Sequence, residues 1–298
     1  MPEYDESQDT LIRQSTIGQM QLCPGRVKWV DHPDYLGMLS EPLVFGTVVH
    51  EIISRHLIEG ELQETMLLSM DEWVEAILVD QYDWTLTKVP LVRDFFSEIA
   101  VAYRTWMQNV LPTLDLNKVA IVEERQLMYL GPGHLGKIFL HGTADIVFTD
   151  LLMDWKTSGR AWKQAKADFS IQASLYMPLH KQTLDLSIQD FWFWVLNRSQ
   201  GVWQLFKTKR TVAQINSALA TALEYGRQIE ANAFPCTPVP EAAFNKQRGW
   251  YCKPKFCSAW NVCDSKYMND GFNEKEVAER IVAHNKNKSV LSVSCELY

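Results

Sequence analysis

Residues 142 to 156, Gly-Thr-Ala-Asp-Ile-Val-Phe-Thr-Asp-Leu-Leu-Met-Asp-Trp-Lys, leave the chain few ways to fold. Ile146, Val147 and Phe148 favour a strand, Thr149-Asp150 is a polar two-residue turn, and Leu151 to Trp155 is apolar again, which makes a tight hairpin. With that turn, Phe148 pairs with Leu151, and the same register sets Asp145 directly across from Asp154. Cross-strand Cβ atoms lie about 4.5–5.5 Å apart, and like charges placed there repel. Facing carboxylates on an apolar hairpin are tolerated when positive charge lies between them, and a divalent cation suits carboxylate oxygens. Lys156, two residues past Asp154, projects from the same face. The alternative is an ordinary hairpin with a solvated polar face and Lys156 as a surface ion-pair partner.

The flanking sequence supplies further pieces. Leu43 to Ile58 has the spacing of an amphipathic helix, with Phe45, Val48, Val49, Ile52 and Ile53 on its apolar face. Gly46 and His50 are four apart and share a face. A glycine there costs about 1 kcal/mol of helix propensity, which close approach to a neighbour such as the sheet explains. His50 then points at that neighbour, the ordinary alternative being a satisfied core histidine. Residues 60–118 read as a mostly helical insertion, with Trp73, Trp84, Phe95, Phe96, Tyr103 and Trp106 supplying core. Ala120 to Tyr129 reads as a strand containing Glu123-Glu124, and Lys137 to Phe148 as the next. Trp162 to Lys181 reads as one helix, with Gln172 and Tyr176 one turn apart and Lys163, Lys166 and Lys181 forming a basic side. A second hairpin, Phe191–Leu196 and Val202–Lys207, precedes a helix over Thr211 to Ile229.

A net charge of −7 argues against a nonspecific nucleic-acid coat, but the charge is uneven. Residues 1–118 carry 8 basic and 19 acidic side chains, and the remainder carries 21 and 17, so any DNA-binding surface is expected in the second part. No apolar run reaches 18 residues, so no membrane span is expected. The first fourteen residues are acidic and polar, and the expectation is a cytoplasmic chain. In a reducing compartment, six cysteines read as metal ligands or buried thiols. Cys252, Cys257 and Cys263 fall within twelve residues, beside Lys246, Arg248, Lys253 and Lys255, and this grouping points to metal ligation. Cys23, in Cys-Pro-Gly-Arg26, is the expected fourth thiolate, with Cys236 and Cys295 as fallbacks. Taken alone, Cys23 is also readable as a small buried hydrophobe. No phosphate-binding G-x-x-x-x-G-K-[ST] occurs, and residues 269–298 read as a polar, flexible tail.

Taken in order, Gly46-x-x-x-His50, Gly142-Thr-Ala-Asp145, Asp154-Trp-Lys156 and Gln172-x-x-x-Tyr176 resemble the RecB-like branch of the PD-(D/E)XK nucleases. Cys23-Pro-x-Arg26 and the late triple of cysteines resemble its iron–sulfur members, which include AddB-type, CRISPR-adaptation and phage exonucleases. The resemblance covers about residues 15–264 and leaves the helical insertion and the tail unexplained. It implies an α/β fold with a restriction-endonuclease-like core: a mixed central β-sheet flanked by helices, within a single nuclease domain that also holds the insertion and a cysteine cluster at 246–264. It implies that His50, Asp145, Asp154 and the backbone carbonyl of Trp155 bind Mg²⁺ or Mn²⁺. Lys156 would position and help activate the attacking water and steady charge on the phosphate. Gln172 and Tyr176 would hold DNA and the shape of the site, and Glu123 or Glu124 would contribute.

The resemblance further implies a structural [4Fe–4S] cluster on Cys23, Cys252, Cys257 and Cys263. The Cys252-x₄-Cys257-x₅-Cys263 spacing also suits a tetrahedral zinc site. Lys163, Lys166 and Arg248 are candidate DNA contacts, and Trp162, Trp250 and Tyr251 are candidates for stacking bases or filling core. The function expected is a DNA exonuclease of recombination, repair or phage DNA processing, working with a separate helicase or recombination protein. A non-catalytic DNA-binding subunit and an endonuclease on the same fold are the alternatives.

Overall fold

The computed structural model describes residues 2–28, 40–60, 94–234 and 257. In chain order the elements are β1 (Thr10–Arg13), α1 (Gln14–Leu22), α2 (Pro24–Lys28), α3 (Glu41–Glu59) and α4 (Phe95–Asn109). Then come β2 (Val119–Val122), β3 (Arg125–Pro132), β4 (Lys137–Thr143), β5 (Ile146–Phe148) and β6 (Leu151–Ser158). The last are α5 (Gln164–Asp168), α6 (Ile171–Leu184), β7 (Asp190–Asn197), β8 (Val202–Thr208) and α7 (Val212–Glu230). The chain divides into two compact units, the first made of Met1–Tyr4, Leu39–Leu130 and Phe139–Ala222 and the second of Asp5–Met38, Gly131–Ile138 and Leu223–Tyr298.

The first unit is built on a five-stranded mixed sheet in the order β2-β5-β6-β7-β8. Only β6 and β7 run parallel in it. A parallel pair cannot be joined by a tight turn, so the chain leaves β6, passes through α5 and α6, and returns as β7. This is the mixed α/β sheet flanked by helices that the sequence predicts. The hairpin register also follows the prediction: Ile146 pairs with Met153 and Val147 with Leu152.

α3 and α4 form one core with the sheet, joining Phe45, Val48, Val49 and Ile52 to Phe95, Ile99, Tyr103 and Trp106, and these to Met153, Trp155, Trp194 and Trp203. Trp155 meets Trp106 and Trp203 edge-on, with ring centroids 6.1 and 6.4 Å away. α4 thus supplies core from within the stretch read as an insertion. Residues 61–93 of that stretch lie outside the described residues. Arg198, in the β7–β8 turn, ties this layer together. Its Nη1 donates to Glu41 Oε2 at 2.8 Å, its Nε donates to Glu98 Oε2 at 2.6 Å, and its guanidinium lies 4.0 Å over the Phe45 ring.

Three elements read as continuous are broken. The strand expected over Ala120–Tyr129 divides at Glu123, whose φ of 48° is left-handed, because β2 serves the five-stranded sheet and β3 a second sheet. The strand expected over Lys137–Phe148 divides at Ala144-Asp145 for the same reason. The helix expected over Trp162–Lys181 divides at Phe169-Ser170, where Arg210 Nη2 donates to the carbonyls of Ala167 (2.9 Å) and Ser170 (2.8 Å).

The second sheet has three strands in the order β1-β4-β3. Asp9 Oδ1 accepts the Lys137 N–H at 2.8 Å, and Glu230 Oε2 accepts the His134 N–H at 2.6 Å. Cys23 ends α1 and is half-buried, and Cys257 is buried. Cys252, Cys263, Arg248, Trp250 and Tyr251 lie outside the described residues, as does the tail. Among the described residues, no helix is long and apolar enough to cross a membrane.

Candidate active site

Asp145 sits in the bend between β4 and β5, fixed from several sides. Its carbonyl accepts the Glu123 N–H at 3.2 Å, its Oδ2 accepts the Trp155 N–H, and its Oδ1 lies 3.2 Å from His50 Nδ1. His50 reaches it from α3, which approaches β6 closely. A Cβ at Gly46 would stand 2.9 Å from Thr157 Oγ1, so a side chain there would force Thr157 to shift.

Asp154 is 2% exposed on β6. Its Oδ1 accepts a hydrogen bond from Gln172 Nε2 at 2.5 Å, and its Oδ2 pairs with the Lys156 ammonium. Beyond that ion pair, Oδ2 has no hydrogen bond among the described residues. Tyr176, one turn after Gln172, packs on β4 at Gly142, where a Cβ would come within 2.5 Å of its ring. The chain of support therefore runs from Gln172 through Asp154 to Lys156.

The ligating atoms of His50, Glu123 and Asp145 lie within 4.8 Å of one another. The sequence expectation grouped His50 and Asp145 with Asp154 instead. In the structure Glu123 closes that group, and the oxygens of Asp154 face Gln172 and Lys156. The sequence presents Glu123 and Glu124 as equivalent neighbours. The left-handed turn at Glu123 distinguishes them, while Glu124 Oε1 accepts from Gln126 Nε2 at 3.1 Å. Of the other candidates, Lys163 and Lys166 are exposed on or beside α5. Trp162 packs against Phe193 and Phe206, with centroids 5.5 and 6.1 Å away, which is the core role rather than an open stacking face.

Burial and charge set the ionisation of the group. Burial pushes Asp154 up to about 6, with Lys156 opposing and Asp145 adding to the rise. Asp145 is also penalised by burial, but His50, Lys156 and the Trp155 N–H outweigh it and hold the carboxyl below its ordinary range. Burial pulls His50 and Lys156 down, yet their acidic neighbours prevail and both sit above their ordinary values. Glu123 rises to about 7 through burial and then the charge of Asp145.

A pH dependence follows for the protein held in chelator. Folded Glu123 keeps its proton at pH values where the unfolded chain, near 4.5, has released it. Its contribution to stability is present below about 4.5 and lost as pH rises through about 7. Glu123→Gln is therefore expected to gain melting temperature relative to wild type as pH is raised from about 5 to about 8. Parallel melting curves for the two proteins would drop the assignment.

His50, Glu123, Asp145 and Lys156 open onto a cleft of about 560 Å³, walled on one side by Pro42, Leu43, Gly46 and Thr47 of α3. Carboxylate oxygens and an imidazole within a few ångströms are a donor set that fits a divalent cation of the Mg²⁺ or Mn²⁺ kind. The clustered carboxylates and the singly paired Asp154 Oδ2 are groups that such a cation would satisfy.

The family model of the PD-(D/E)XK nuclease superfamily matches residues 27–264. Among solved structures, SSO0001 is 12% identical with a TM-score of 0.45, over 89% of this chain and 90% of that one. A candidate exonuclease from Eubacterium rectale is 10% identical with a TM-score of 0.46, again over 89% and 90%. No curated protein matches.

Proposed function

The chain belongs to the PD-(D/E)XK nuclease superfamily, and we propose that it is a metal-dependent DNA exonuclease that hydrolyses phosphodiester bonds of single strands or duplex ends. The observation that carries this reading is the meeting at one cleft of the His50–Glu123–Asp145 cluster and Lys156, the ion-pair partner of Asp154. His50, Asp145, Asp154 and the Trp155 carbonyl would hold Mg²⁺ or Mn²⁺, with Glu123 beside them. When bound, such a cation supplies Lewis acidity, polarising a phosphoryl oxygen and making water a better nucleophile near neutral pH.

The remaining work falls to the chain itself. Lys156 stays charged between Asp154 and Asp145, so it serves as a fixed positive charge for the oxygens of the phosphate as negative charge builds there. A protonated lysine cannot take a proton from water, so its part in water activation is orientation. Gln172 holds Asp154, which helps fix the Asp154–Lys156 pair, and Tyr176 packs beside it on β4. Lys163, Lys166 and Arg248 would neutralise phosphates of the strand.

The proposal extends to the cysteines: Cys23, Cys252, Cys257 and Cys263 would hold a structural [4Fe–4S] cluster, with zinc as the alternative metal. Cys23 and the buried Cys257 fall in the same compact unit, which supports that reading. A cytoplasmic role in recombination, repair or phage DNA processing, beside a helicase or recombination protein, completes it.

The test compares linear with covalently closed circular DNA in Mn²⁺ and Mg²⁺. Linear DNA is expected to be degraded from its ends while circles survive, and Asp145→Asn is expected to be inactive. Discrete fragments from closed circles would replace the exonuclease with an endonuclease. Binding with no cleavage in either metal would replace it with a non-catalytic subunit.

A further inference from the structure

We propose that Phe169 is a stacking platform for an unpaired base beside the cleavage site, with Arg160, Lys163 and Lys166 leading the strand's phosphates toward it. The inference rests on the nuclease reading and deepens it by naming what the site takes: a single strand or a frayed end.

Phe169 is 86% exposed, although burying such a side chain is favourable. It does not lie on a loose loop. Arg210 Nη2 donates to the carbonyls of Ala167 and Ser170, on either side of it, at 2.9 and 2.8 Å. Arg210 Nε donates to Ser174 Oγ of α6 at 2.8 Å. Asp168 Oδ1 accepts from Gln164 Nε2 and from Thr208 Oγ1, both at 2.9 Å. The ring thus projects into water from a pinned turn, so little backbone freedom is lost when a base stacks on it.

Its place in the chain puts it near the chemistry. Phe169 lies three residues before Gln172, whose amide holds Asp154. Three residues reach at most about 10 Å, which corresponds to roughly three stacked nucleotides. The residues leading to it are basic: from Trp155 to Ala167 there is no acidic side chain, and Arg160, Lys163 and Lys166 recur at every third position, all exposed. In a chain of net charge −7, this run is complementary to a phosphate backbone. Every base has a π-face, so such a platform takes unpaired bases with little regard to sequence. Paired bases inside a duplex keep their faces covered.

The experiment uses the full chain in an Asp154→Asn background, which removes cleavage, and measures binding of labelled oligo-dT and of a blunt hairpin duplex by fluorescence anisotropy. A second readout is a strand end carrying 2-aminopurine, whose fluorescence is quenched by stacking. Phe169→Ala is expected to weaken single-strand binding by about tenfold to a hundredfold and to abolish the quench, leaving duplex binding unchanged, while Phe169→Trp retains both. Equal single-strand affinity and an intact quench in Phe169→Ala would overturn the proposal, as would equal losses on single strand and duplex. If the wild type cleaves DNA and Phe169→Ala behaves like it, this inference alone falls. If the wild type neither binds nor cleaves any DNA, the nuclease reading falls first.

Discussion

Lys156→Met is expected to lower cleavage of a labelled linear DNA by about a thousandfold, the size of losing one fixed donor to a developing negative charge. The same substitution should expose a stability cost, because Lys156 is the ion-pair partner of Asp154 Oδ2, and Asp154 is 2% exposed. An uncompensated buried carboxylate costs about 3–5 kcal/mol. The carboxyl can escape that cost by taking a proton, and with Lys156 in place it already sits at about 6. Removing the ammonium raises it further above its unfolded value, so the variant's stability is present at low pH and lost as pH rises through the new folded pKa. The melting temperature of Lys156→Met should therefore approach that of the wild type in acid and fall away at neutral pH. Asp154→Asn/Lys156→Met removes both charges and should recover most of the melting temperature at a pH of about 7, with no return of cleavage. That split separates a role in the reaction from a role in folding. Wild-type cleavage by Lys156→Met would remove this lysine from the site.

The parts of the site legible in the sequence are those that local periodicity fixes. The Thr149-Asp150 turn and the two-residue repeat of a strand gave the register that sets Asp145 against Asp154, and the same repeat puts Lys156 beside Asp154. Gly46 was readable as a close approach because a glycine inside an apolar helix face needs a neighbour, and Thr157 is that neighbour. Glu123 was not separable from Glu124, because its position depends on a left-handed turn at which the chain passes from one sheet to another. No local pattern encodes that passage at a glutamate. The break between α5 and α6 was hidden for a related reason. It is made by Arg210, forty residues further on, capturing the carbonyls of Ala167 and Ser170. Both features are decided by partners distant in sequence, and Phe169 with its pinned turn came into view only with them.

Trp155 links the core to the chemistry, and Trp155→Ala is the substitution expected to cost the most stability. The strand places Asp154 and Lys156 on one face, so Trp155 between them enters the other, where it is 1% exposed against Trp106 of α4 and Trp203 of β8. Truncating a buried tryptophan costs about 3–5 kcal/mol through lost transfer energy and the cavity left behind. For a unit of this size that corresponds to a fall in melting temperature of roughly 10 °C. The indole itself packs in the core. The contribution of residue 155 to the site is its backbone, the N–H that Asp145 Oδ2 accepts and the carbonyl proposed as a metal ligand, and alanine keeps both. At a temperature well below its own melting point, Trp155→Ala should therefore cleave within about tenfold of wild type, a loss attributable to looser positioning. Trp155→Phe, which fills much of the cavity, should fall between the two in stability and near wild type in activity. Asp145→Asn should show the reverse emphasis, with no cleavage and a smaller fall in melting temperature than Trp155→Ala. A Trp155→Ala protein that melts with the wild type would show that the tryptophan layer under β6 does not hold the site. One that melts normally yet fails to cleave would place the indole in the chemistry and reverse the division of the two faces of the strand.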